Sequence, residues 1–233
     1  MLSRRTSFMS KSNQQLVIFD FDGVIVDSET ISVGLLIAEM SQHGLDLTEN
    51  QAYGAFLGKQ IAKADQSVMA AFGIEIPPLD EAAFKTKLFQ LFDAQLKPIS
   101  GILGAYNAIK GQRCIASSSS MDRILRSLAI TGLDNVIDCT KFGAGTVSRG
   151  KPEPDLFLHA AAQHCVRPEN CIVVEDSPAG ISAALAAGMK CIGFVGGSHA
   201  TPASLKLKLA ELGPNLIIET MSQLPEAIIN LSR

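Results

Sequence analysis

Asp20 and Asp22 stand two residues apart at the end of an apolar run, Leu16-Val17-Ile18-Phe19, and Gly23 follows them. In an extended segment such residues share a face, so the two carboxylates repel unless a cation or a shared proton lies between them. Gly23 lets the chain turn tightly at that point. Glu175 and Asp176 end a second apolar run, Cys171-Ile172-Val173-Val174, in the same way. Four carboxylates brought together without His or Cys point to Mg²⁺, a hard cation that keeps some waters and shares its shell with a substrate phosphate. Ser117-Ser118-Ser119-Ser120 follows another short apolar segment, and Lys151-Pro152-Glu153-Pro154-Asp155 opens a helical pattern. Lys151 offers charge, and Ser117 and Ser118 offer hydroxyl donors, for phosphate oxygens. One carboxylate beside the metal can then attack phosphorus and form an aspartyl phosphate, while its neighbour protonates the departing alkoxide and later activates water.

These residues need a scaffold that ends several strands at one edge. Leu16 to Phe19 lack alternation, as expected of a parallel strand covered on both faces, and ligands bind beyond the carboxyl ends of such strands. The later pattern alternates: a helix near 101–110, a strand Arg113 to Ala116, a helix near 121–130, a strand near Val136 to Cys139, and a helix near 154–164. Next come a strand Cys171 to Val174, a helix 178–187, a strand Cys191 to Val195 and a last run, Leu216-Ile217-Ile218. Ser177 and Pro178 read as the cap and first residue of the 178–187 helix, which Gly188 closes. The expected fold is α/β, a doubly wound parallel sheet. Residues 29–97 read instead as helices, with apolar stripes Ile31, Leu35, Ala38 and Phe84, Leu88, Leu91, Phe92 facing a core. Pro77-Pro78 breaks that block and Lys97-Pro98-Ile99-Ser100-Gly101 ends it. The expected division is a leader at 1–14, an α/β core at 15–28 and 98–233, and an inserted helical cap at 29–97. Leaving the sheet directly after the acidic loop, the cap should form a lid over it.

The balance of 20 Lys and Arg against 23 Asp and Glu leaves a net charge of −3 and no basic footprint for nucleic acid. No apolar run approaches the roughly 18 residues that span a bilayer, so no membrane partner is expected. Cys114, Cys139, Cys165, Cys171 and Cys191 show no metal spacing and read as reduced, mostly buried thiols. The first fifteen residues are basic and polar without the apolar core of a secretory signal, which suggests a disordered leader; their Arg/Ser character is also that of a transit peptide. A cytoplasmic monomer is the expectation.

The chain resembles the haloacid dehalogenase superfamily over nearly all its length. DFDGVIVDS from Asp20 looks like the first family motif, IASSS from Ile115 the second, GKPEPD from Gly150 the third and VVEDSPAGI from Val173 the fourth. That resemblance implies Asp20 as nucleophile and Asp22 as general acid/base, with the Asp22 backbone carbonyl on Mg²⁺. It also implies Ser117 and Lys151 on the transferring phosphoryl group, and Asp176 with Glu175 completing the metal site. An acid at position 22 favours phosphate chemistry over the family's dehalogenases. The helical insert is similar to the small cap of the subgroup of beta-phosphoglucomutase and sugar-phosphate phosphatases. Ser32 stands where the mutase has a histidine, and Gly58-Lys59-Gln60-Ile61 lacks the mutase's arginine, which favours a phosphatase. Lys59 and Gln60 are candidate cap contacts to substrate. Leu91 to Leu96 and the loop at 197–200 look like phosphatases of the phosphogluconate type. The expected activity is a Mg²⁺-dependent phosphomonoesterase on a small phosphorylated metabolite, a sugar or organic-acid phosphate. The alternatives are a phosphomutase, a phosphoacceptor receiver module, which needs only about half this length, and a catalytically silent binding protein.

Overall fold

A fully buried strand, β1 (Leu16–Phe19), occupies the middle of a parallel sheet that the chain winds outward from in both directions. The computed structural model describes residues 15–59 and 61–232. β2 (Gln112–Ala116) pairs with one side of β1 and is followed outward by β3 (Thr140–Phe142). β4 (Cys171–Glu175) pairs with the other side and is followed by β5 (Lys190–Phe194) and β6 (Leu216–Ile218). The order β3-β2-β1-β4-β5-β6 reverses direction at β1, the kind of switch point where a crevice opens beyond the strand ends. Phe19 is level with Ile115 on one side and Val174 on the other, and the Asp20 amide donates to the Val174 carbonyl at 2.9 Å. Asp20, Ala116 and Glu175 therefore emerge from the sheet in one row.

Both faces of β1 are covered, which is why its sequence does not alternate. Val17 and Phe19 belong to one apolar cluster, and Leu16 and Ile18 to another with Phe157, Ala160, Ile181 and Ala184. The segments that build these layers are helices α5 (Ile102–Ala108), α6 (Met121–Thr131), α7 (Asp155–Gln163), α8 (Pro178–Ala186), α9 (Leu205–Leu212) and α10 (Leu224–Leu231). Ser177 caps α8 by accepting from the Gly180 amide at 3.1 Å, with Pro178 at the first helical position, as its sequence predicts.

Between β1 and β2 lie α1 (Glu29–Gln42), α2 (Glu49–Phe56), α3 (Ala64–Phe72) and α4 (Glu81–Gln95). Thr48 and Gln51 form a capping box on α2, and Asp80 accepts from the Ala82 and Ala83 amides, both at 3.0 Å, to start α4. The outgoing and returning chains run side by side: the Asp27 amide donates to Lys97 and the Ile99 amide to Ile25, at 2.9 and 3.0 Å.

Two expectations are corrected. In α1 the buried apolar line is Val33, Leu36 and Met40, whereas Ile31 and Leu35 are half-buried and Ala38 is exposed. That helix is apolar at nearly every turn, so period alone selects no face, and packing on α2 and α4 decides. The α4 stripe stands, with Phe84, Leu88 and Phe92 buried and Leu91 half-buried. The third strand begins at Thr140, not at Val136: residues 133–137 form a helical turn, closed by the Ile137 amide on the Leu133 carbonyl at 2.9 Å, that plugs Ile137 into the core. Of the five free cysteines, Cys114, Cys171 and Cys191 are buried, Cys139 is half-buried and Cys165 is exposed. The leader at 1–14 lies outside the described residues. Among the described residues, no helix is long and apolar enough to cross a membrane.

Candidate active site

The four polar clusters read from the sequence meet at the carboxyl edge of the sheet, on the floor of a cleft of about 680 Å³. Lys151 Nζ donates to Asp20 Oδ1 at 2.6 Å and to Glu175 Oε1 at 2.7 Å. The Ser177 amide holds the other Glu175 oxygen at 2.7 Å. Oxygens of Asp20, Glu175 and Asp176 all lie within 4.8 Å of one another. Two glycines make this crowding possible. A Cβ on Gly23, whose φ is +74°, would overlap Asp176 Oδ2, and one on Gly180 would overlap the Glu175 carboxylate.

Three buried carboxylates against one lysine leave an excess of negative charge. Burial pushes the Asp20 carboxyl well above the usual range; Lys151 pulls it back, and Glu175 and Asp176 add to the rise. Asp176 is raised too, by burial first and then by Glu175. Lys151 is raised because the pull of Asp20 and Glu175 outweighs its own burial. Asp176 Oδ2 is buried with no hydrogen-bond partner among the described residues. A divalent cation of oxygen preference fits this set of clustered carboxylate oxygens, because it would neutralise the excess.

Asp22 is held differently. Its Oδ1 accepts from Ser28 Oγ and Arg123 Nη2, each at 2.6 Å, and its Oδ2 from Ser119 Oγ at 2.5 Å. Burial alone would raise its pKa, but Arg123 and the hydroxyls of Ser119 and Ser28 prevail and lower it. Its side chain is thus separate from the three grouped carboxylates, which leaves its backbone carbonyl as the atom the family resemblance assigns to the metal. Ser117 is buried, its Oγ accepting from the Ser119 amide at 3.0 Å, and Ser118 lines the cleft beside it.

Helices of the insert form the opposite wall. Glu29, Ser32, Leu36, Phe84 and Leu88 line the cleft, as does Lys59, whose side chain is exposed. Gln60 lies outside the described residues. Arg123, Ser119, Ser28, Glu29 and His199 escaped the sequence reading as individual site residues. Ser119 sits inside the recognised serine run, Ser28 and Glu29 directly follow the first acidic motif, and His199 falls in the loop at 197–200. Arg123 carries no local signal, since a charged residue in the first turn of α6 reads as solvated.

The profile of the haloacid dehalogenase-like hydrolases matches residues 17–194, and the chain belongs to that family. A relative from Escherichia coli, named 6-phosphogluconate phosphatase, is 28% identical over 82% of this chain and 87% of its own length. The beta-phosphoglucomutase of Bacillus subtilis is 31% identical over 82% of this chain and 88% of its own length. Among solved structures, a conserved haloacid dehalogenase-like protein of unknown function from Agrobacterium tumefaciens superposes with a TM-score of 0.80 at 33% identity, covering 94% of this chain and 100% of that one. A family hydrolase from Deinococcus radiodurans, solved with bound phosphate and sodium, gives a TM-score of 0.72 at 26% identity, covering 94% of this chain and 97% of its own.

Proposed function

We propose that this protein is a cytoplasmic, Mg²⁺-dependent phosphomonoesterase that hydrolyses a small sugar or organic-acid phosphate through an aspartyl phosphate on Asp20. The observation that carries this reading is the bridge of Lys151 between Asp20 and Glu175, with an oxygen of Asp176 clustered beside them. That bridge supports reading Asp20 as the nucleophile, Lys151 as the phosphate-binding cation and the clustered carboxylates as the metal-binding set. The names of relatives, 6-phosphogluconate phosphatase and the phosphorylated carbohydrates phosphatase of Thermotoga maritima, support the substrate class.

An Asp20 oxygen attacks phosphorus while the ester P–O bond breaks, and Lys151, Ser117 and Ser118 hold the phosphoryl oxygens. Asp22, which its partners favour in the ionised form, takes up the proton that a monoanionic phosphate ester carries and gives it to the leaving oxygen. Asp22 then takes a proton from water, which cleaves the acyl phosphate, releases inorganic phosphate and regenerates Asp20. Mg²⁺, held by Asp20, Asp176, Glu175 and the Asp22 carbonyl, would offset the negative charge of the transferring group. Residues 29–97 act as the cap, excluding water and presenting Lys59 to the part of the substrate remote from phosphorus.

Inorganic phosphate release from a panel of sugar and organic-acid phosphates, with Mg²⁺ or with chelator and without added bisphosphate, tests this. Turnover with Mg²⁺ and none with chelator is expected. Isomerisation dependent on a bisphosphate would make the protein a mutase, and full activity in chelator would remove the metal from the scheme.

A further inference from the structure

His199 is wholly buried, yet neither ring nitrogen has a hydrogen-bond partner among the described residues. Its Nε2 lies 2.8 Å from Asp176 Oδ2, itself without a partner. The separation is that of a hydrogen bond, but the ring N–H points off the line between the two atoms, so the imidazole must turn for Nε2–H to address the oxygen. Buried donors and acceptors left in this state are costly, and each is the other's nearest remedy.

The surroundings leave the ring little else to do. A Cβ on Gly197 would lie 2.6 Å from His199 Cε1, and one on Gly23 would lie 2.9 Å from it, so both glycines keep their space for the imidazole. Ser198, the preceding residue, donates from its amide and its hydroxyl to Asp27 Oδ1 at 3.1 and 2.9 Å, and its Oγ lies 3.1 Å from Thr30 Oγ1. The loop that carries His199 is therefore anchored where the chain leaves the sheet for α1. The Tyr53 ring of α2 stands 6.3 Å from the imidazole, centroid to centroid.

We propose that His199 is a positioning residue for the cation site, donating its Nε2–H to Asp176 so that the remaining carboxylate oxygen is presented to the metal. This rests on the metal reading above. Histidine–carboxylate pairs beside metal sites fix the orientation of the ligating group, and losing the outer partner weakens metal binding by about 10–100-fold. The anchoring of Ser198 gives the arrangement a second consequence: the same loop that aims Asp176 also grips the base of the insert.

The test measures Mn²⁺ binding to the full chain by electron paramagnetic resonance of the free ion, with Mg²⁺ as competitor, and so is independent of turnover. Three variants are compared with wild type: His199→Gln, whose amide nitrogen reaches the position of Nε2, His199→Asn, whose amide nitrogen stops near Nδ1, and His199→Leu. His199→Gln should bind within about threefold of wild type, and the other two should bind about 10–100-fold more weakly. Equal affinity in all three variants overturns the proposal, and so does a His199→Gln protein as weak as His199→Leu, which would reduce the residue to packing. If His199→Leu fails to fold, the contrast between Gln and Asn decides alone. A wild-type protein that binds neither Mn²⁺ nor Mg²⁺ would instead remove the metal reading beneath the proposal.

Discussion

Arg123 Nη2 lies 2.6 Å from Asp22 Oδ1 and 3.0 Å from Ser32 Oγ, so one guanidinium ties the second acid of the sheet edge to the first helix of the insert. Ser32 in turn donates to the Ser28 carbonyl at 2.9 Å, and Ser28 donates to Asp22, closing a ring of contacts around the carboxylate. The Arg123 guanidinium also lies 5.2 Å from the centroid of the Phe92 ring of α4. Asp22 is thereby fixed in place from both the core and the insert.

Arg123→Met should therefore loosen Asp22 without touching Asp20. Sugar-phosphate hydrolysis, which needs a well-placed proton donor, should lose about 1–3 kcal/mol in kcat/KM. An aryl phosphate, with a leaving group that departs unaided, should lose less. Steady-state kinetics on both substrates checks this, and equal losses would show that Arg123 does not act through Asp22.

Asp20→Asn should abolish turnover, because an amide is no nucleophile, while Asp22→Asn should keep slow transfer from aryl phosphates. Rapid acid quenching followed by peptide mapping should find phosphate on Asp20 in the Asp22→Asn protein. Measurable turnover by Asp20→Asn would move the nucleophile elsewhere.

The sheet edge was legible because buried parallel strands are written as apolar runs, and each run here stops abruptly at polar residues. Asp20, Ser117 and Glu175 announce themselves in that way, and Lys151 by opening a helical pattern with Pro152 and Pro154. Arg123 does not: Asp122, Arg123 and Arg126 read as one solvated face of α6, and only the folded insert, with Ser32 and Phe92 above it, turns Arg123 inward. Local pattern misleads elsewhere too. Leu205, Leu207 and Leu209 alternate with lysines at the period of a strand, yet the segment is α9, with Leu205 and Leu209 buried one turn apart and Leu207 72% exposed. Packing over β5 and β6 outweighs the alternation.

Lys151→Met removes the single cation among three buried carboxylates. Breaking a buried pair from one side costs about 3–5 kcal/mol, so urea unfolding in chelator should show a loss of that order. The loss should shrink as the pH falls, because Asp20 and Asp176, both raised, take up protons and cease to need a partner. Saturating Mg²⁺ should recover part of it. Unchanged stability at neutral pH would mean that the three acids are already neutralised without Lys151.

Glu29 faces the cleft from the first turn of α1, and its pKa is pushed from 4.5 up to about 8, by burial first and then by Asp22 and Asp176. Between those two values the folded protein carries a proton that the unfolded chain has lost, so stability falls as the pH rises, by at most about 1.4 kcal/mol per pH unit. Below the lower value both states are protonated, and above the upper value both are ionised, so the slope vanishes at each end. Glu29→Gln keeps the shape of the side chain and cannot titrate. Measured in chelator, the variant should therefore gain on wild type steadily from about pH 5 to pH 8, the interval between the unfolded and folded values. A bound divalent cation should flatten the gain by offsetting the charge of Asp176 that helps to keep Glu29 protonated. A stability difference that stays constant over this interval in chelator would show that Glu29 ionises as it does in the unfolded chain and contributes no pH dependence.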